Sequence, residues 1–110
     1  MDTDTIPNET SAKIAALNDA FRRSNPVRYT VTRGVSATMD LSRVISMVRS
    51  YDVFNEDNDP YGEHDFGSFT VAGNKVFWKI DYYTQDLSSG CDPLDPGCRR
   101  VLTIMLAEEY

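Results

Sequence analysis

The sequence predicts an α+β domain, with two helices packed on a small, mostly antiparallel sheet that has a central hairpin. Three observations carry this expectation. Apolar residues recur at helical spacing through residues 10–24 and again after Asp40. Apolar and polar residues alternate in VFWKIDYY (76–83), directly behind the turn-forming AGNK. The closing RRVLTIMLAEEY groups β-branched Val101, Thr103 and Ile104.

Taken in order, residues 1–9 read as a flexible polar tail, leaving 10–110 as one domain. The first helix runs from about Thr10 to Ser24, with Ile14, Leu17 and Phe21 as its apolar stripe beside Ala15, Ala16 and Ala20. Asn25-Pro26 stops it, because the residue before proline avoids helical angles. Val27, Tyr29 and Val31 then alternate with polar residues as a half-buried strand ending near Gly34. Asp40 is placed to cap a second helix with the stripe Leu41, Val44, Ile45 and Val48. FGSFTV (66–71) and VFWKIDYY form the hairpin around Gly73-Asn74, with Val76, Trp78, Ile80 and Tyr82 on its core side. Residues 84–98 make a long loop, and the last segment is expected to be a central strand through Met105.

The formal net charge of −6 is unevenly spread. Residues 1–50 hold seven Lys/Arg against five Asp/Glu, whereas residues 51–110 hold four against twelve. Asp52, Glu56, Asp57, Asp59, Glu63 and Asp65 fall in one stretch without a single Lys or Arg. Such a field repels nucleic acid and attracts basic protein surfaces or cations. Arg22, Arg23, Arg28 and Arg33 are the candidates for a small positive face. No apolar run approaches the roughly 18 residues of a membrane span, and the N-terminus lacks the pattern of a signal peptide. A cytoplasmic protein without membrane contact is expected. Cys91 and Cys98 are then expected as free thiols. With His64 they are one ligand short of a closed zinc site.

DNDPYGEHDFG (57–67) concentrates the possible chemistry. With Asp57 as first ligand of an EF-hand, Tyr61 falls at the fifth position and Ser68 at the twelfth, where a bidentate glutamate belongs. It is not an EF-hand. A looser ion site from Asp57, Asp59, Glu63, His64 and Asp65 is the alternative reading. Acid–base work by Glu63, His64 and Asp65 lacks any accompanying nucleophile or hydrolase motif. Asn58, Asp59, Pro60 and Gly62 are turn formers, so much of the segment also reads as scaffold. No cofactor and no catalytic residue is assigned.

LNDAFRR (17–23), TRGV (32–35), DNDPYGEHDFGSF (57–69), WKIDYY (78–83) and VLTIMLAEEY (101–110) together resemble a bacterial family catalogued only as a domain of unknown function. The resemblance spans Leu17 to Tyr110 and brings no activity, cofactor or catalytic residue. It implies carriage on plasmids, integrated elements and phages. Members carry Asp-Pro turns near residues 90–98 without two cysteines, so Cys91 and Cys98 look private to this chain. Small acidic proteins of mobile elements often shield their carrier from host defence. The resemblance and the charge placement together imply an inhibitor of a CRISPR surveillance or restriction complex. It would use Asp52, Glu56, Asp57, Asp59, Glu63 and Asp65 as a carboxylate mimic of DNA phosphates.

Overall fold

The computed structural model describes residues 9–24 and 29–110. Of the expected tail over 1–9, residues 1–8 lie outside the described residues, as do the Asn25-Pro26 stop and the strand start at Val27 and Arg28; Glu9 belongs instead to the first helix.

Among the described residues, three α-helices, α1 (Glu9–Arg23), α2 (Arg33–Thr38) and α3 (Leu41–Arg49), accompany four strands, β1 (Tyr29–Val31), β2 (Phe66–Val71), β3 (Asn74–Tyr83) and β4 (Arg99–Leu106). The sheet order is β1-β4-β3-β2, with only β1 and β4 parallel. The α+β expectation holds, and β4 is the central strand expected of the C-terminal segment. Among the described residues, no helix is long and apolar enough to cross a membrane.

Local chemistry explains most boundaries. The Asp40 carboxylate accepts from the Arg43 amide at 3.3 Å and starts α3. The hairpin turn sits at Ala72-Gly73, one residue before its expected place, because both residues adopt positive φ (50° and 82°) and Val71 then pairs with Asn74. That is the two-residue turn whose twist matches the strands.

The segment TRGV departs from expectation. The strand ends at Val31, and Arg33–Thr38 coil into a helix the sequence did not announce. Glu109, just beyond β4, supplies the missing signal. Its carboxylate accepts from the Thr32 hydroxyl at 2.6 Å, the Gly34 amide at 3.0 Å and the Leu106 amide at 2.8 Å. These bonds hold the Glu109 carboxyl below its usual range, the Thr32 hydroxyl acting most strongly. A Cβ at Gly34 would come within 2.7 Å of that carboxylate, so a larger residue there would push the Glu109 side chain aside.

One sheet face meets the helices. Val76, Trp78, Ile80, Leu102, Ile104 and Leu106 pack there with Val35, Val44, Val48 and Tyr51. Trp78 lies so close over β2 that a Cβ at Gly67 would strike its indole. The opposite face carries Phe66, Phe77 and Tyr110 as a small edge-to-face group, ring centroids 5.2–6.1 Å apart.

The α1 register overturns a sequence expectation. Its buried stripe is Ser11, Ile14, Ala15, Asn18 and Arg22, while Leu17 is 44% exposed. Arg22, placed by sequence on a positive surface, is wholly buried. Its guanidinium carbon lies 5.2 Å from the Trp78 ring centre and 5.6 Å from that of Phe54. One NH₂ group donates to the Tyr51 carbonyl at 3.0 Å and to Asp19 at 3.1 Å. Planar guanidinium tolerates this burial because it stacks on rings and pairs with a carboxylate at once.

Candidate functional site

A concavity of about 590 Å³ lies between α1 and the loop joining α3 to β2. Ala12, Ala15, Ala16 and Asp19 line it from α1, and Phe54, Asn55, Glu56, Asp59, Pro60, Gly62 and His64 from the loop.

The loop is built by its own side chains. Asn55 Oδ1 accepts from the amides of Asp57 (2.9 Å) and Asn58 (3.2 Å), and Asn58 Oδ1 accepts from the Asn55 amide at 2.9 Å. Asn58 Nδ2 donates to the Val53 carbonyl at 2.8 Å. Asp59 is buried, and its carboxylate accepts from the Glu63 amide at 3.1 Å and the His64 amide at 3.2 Å. These asparagine and aspartate turns curl the chain until His64 takes a left-handed φ of 56°. Such a backbone persists only where its surroundings over-determine it.

Here they do. The His64 ring stacks on Phe54, centroids 3.9 Å apart and 5° from parallel. Nδ1 lies 3.0 and 3.1 Å from the two Asp19 oxygens. Nε2 faces Asp59 Oδ2 at 3.7 Å, beyond hydrogen-bond range. A carboxylate at Nδ1 demands a donor, so in the neutral ring the proton sits there and Nε2 is the free nitrogen. The array runs Arg22, Asp19, His64, Asp59 into the cleft.

A second network anchors α1 to β3 and β4. Asn18 Nδ2 donates to the Tyr82 hydroxyl at 2.8 Å and the Glu63 carbonyl at 2.9 Å, and its Oδ1 accepts from Arg100 Nε at 2.7 Å. Burial, with Asp65 and Asp59 adding, pushes the Glu63 carboxyl above its usual range. Burial, then Asp59, does the same to Asp65. Burial lowers the Arg22 guanidinium from its ordinary value, against the pull of Asp19.

The six carboxylates singled out by sequence therefore divide. Asp52, Glu56 and Asp57 are exposed; Asp59 is buried, and Glu63 and Asp65 are half-buried against the sheet. Asp59 thus does not belong to an outward acidic face, because two backbone amides hold its carboxylate inside. Asp19 was absent from the sequence candidates, although it completes the site. The signal lay in LNDAFRR, where Asn18 and Arg22 stand four residues apart on the face shared with Ser11, Ile14 and Ala15. Cys91 and Cys98 are free thiols in the 84–98 loop. Among the described residues, no three His, Cys, Asp or Glu side chains form a group able to hold a metal ion.

An imidazole oriented by a carboxylate is half of a general-base device. Among the described residues, the lining contains no Ser, Thr, Cys or Lys to serve as its nucleophile. What the cleft does present is a set of acceptors with apolar walls.

A family model matches residues 29–109. The chain belongs to the family described as protein of unknown function, DUF3768. The DUF3768 match takes in the TRGV turn, the acidic loop and the whole sheet; α1, which contributes Asn18, Asp19 and Arg22, precedes it. No curated protein and no solved structure gives a significant match.

Proposed function

We propose that this protein is an acidic binding module that docks on a basic protein surface and blocks it. The target class is a host complex whose Lys/Arg groove is built for nucleic-acid phosphates, such as a CRISPR surveillance or restriction complex. One observation carries the reading. Asp52, Glu56 and Asp57 stand exposed on a loop that has no Lys or Arg from Asp52 to Asp65, beside a cleft in whose lining, among the described residues, there is none either. Side chains arranged to bind phosphates also bind carboxylates of matching spacing. In this reading Asp59, Glu63 and Asp65 brace the loop while the outer three make contact. The mobile-element carriage implied by the sequence resemblance fits such a role.

The test is affinity capture with the tagged protein, from lysate containing an active restriction or CRISPR system, read by mass spectrometry. The parent is expected to retain a near-stoichiometric defence complex that salt weakens steeply. The Asp52→Asn/Glu56→Gln/Asp57→Asn variant is expected to lose it. Equal capture by parent and variant would sink the proposal.

A further inference from the structure

The cleft has the profile of an amphipathic cation. Ala12 and Ala16 sit one turn apart on α1, about 6 Å along the helix. With Ala15 and Phe54 they make walls that suit a methylene stem. Asp19, Asp59 and Glu56 supply acceptors beyond those walls. Asp19 and Asp59 are engaged by His64, Arg22 and backbone amides. Glu56 is exposed, and its side chain makes no hydrogen bond or ion pair among the described residues. It is a free carboxylate beside an apolar slot.

We propose that this cleft receives a single arginine side chain presented by the partner protein. The stem lies along Ala12, Ala16 and Phe54, and the guanidinium is held by Glu56 with Asp59 behind it. The inference rests on the proposed docking to a basic surface and names what the partner inserts. Charge complementarity selects a cation, since among the described residues no Lys or Arg lines the cleft while Asp19, Glu56 and Asp59 do. Arginine is favoured over lysine because guanidinium meets carboxylates through two parallel bonds and lies flat on rings. The fold already holds one arginine against a carboxylate and rings: a single Arg22 NH₂ meets Asp19, and the guanidinium lies over Phe54 and Trp78. The volume of about 590 Å³ leaves room for the peptide unit carrying the side chain.

The experiment is an NMR titration of the full chain with Nα-acetyl-arginine methylamide, its neutral isostere Nα-acetyl-citrulline methylamide, and free L-arginine. The expected result is saturable shifts at the His64 ring and the Ala12 and Ala16 methyls. Affinity for the blocked arginine should exceed that for citrulline by on the order of tenfold, the worth of one charge-assisted pair. Ala16→Trp, at an exposed helix position, fills the slot and is expected to abolish the shifts with helicity unchanged. Absence of saturable shifts, or an equal response to citrulline, would overturn the assignment. Tighter binding of free L-arginine than of the blocked form would overturn the assignment to a partner's side chain. In the capture assay, Ala16→Trp is expected to weaken retention alongside the acidic-face variant. If Ala16→Trp captured normally while Asp52→Asn/Asp57→Asn did not, the acidic surface would stand and the arginine slot would fall.

Discussion

Beneath α2 and α3 the sheet meets Val35, Val44 and Val48, all fully buried, whereas beneath α1 it meets Asn18 and Arg22, equally buried. The first contact is made by valines; the second adds to buried Ile14 and Ala15 a set of directed bonds to Tyr51, Tyr82, Glu63 and Arg100. Apolar burial is proportional to area and indifferent to direction, so it attaches helices to a sheet without aiming any side chain. Hydrogen bonds act only at fixed distances and angles. They therefore set the rotation of α1, and through it the placement of Asp19 against His64. The aliphatic flank supplies adhesion and the polar flank supplies geometry.

Arg22→Ala should break this division hardest. It leaves the Tyr51 carbonyl without its donor and Asp19 with His64 alone, and opens space between Phe54 and Trp78, a loss of about 3 kcal/mol. Urea denaturation measures the loss, and the His64 ring resonances should move with it. A cost below about 1 kcal/mol would show Arg22 behaving as a surface ion pair.

Val48→Ala should cost about 2 kcal/mol from lost burial and the cavity left behind. The His64 resonances should stay where they are. Were they to shift as far as in Arg22→Ala, the two flanks would be one coupled unit and the contrast would be false.

The smallest effect is in pH. The fold raises the carboxyl pKa values of Glu63 and Asp65, chiefly by burial, so in that range the native state holds more protons than the unfolded chain. Their contribution makes stability fall as pH climbs from the ordinary carboxylate range towards the raised native values. Asp86 acts oppositely: hydrogen bonds from Ser88 and Thr84 hold it down at about 2. Its contribution is present above the ordinary Asp range and is lost as pH falls towards that value. Melting temperatures of the parent and the Glu63→Gln/Asp65→Asn variant against pH separate the two. The variant is expected to lose the decline on the upper side and keep the acid limb. A decline unchanged in the variant would place its source elsewhere.

The same contrast explains how far the sequence could be read. The α3 cap, the hairpin and the inward face of Trp78 depend on residues within a few positions of one another, and local periodicity reported them correctly. TRGV coils into the start of α2 where Glu109, 75 residues from Gly34, meets its first turn. No local pattern carries that information. The candidate site was legible in its loop half, where Asn55, Asn58 and Asp59 write their own turns. Its helix half was misjudged because Leu17 and Phe21 present the stronger apolar period. Buried Arg22 and Asn18 look like surface residues until Phe54, Trp78, Tyr82 and Arg100 surround them.

By itself, then, the sequence determined the class of fold, the order of its main elements and the concentration of negative charge on one loop, since these follow from composition and short-range spacing. Only the tertiary structure decided which carboxylates face outward and which helix face is buried. It also decided that Asp19, 45 residues before His64, holds that ring at the cleft. A buried charge is stable only beside partners that the folded chain brings from distant segments.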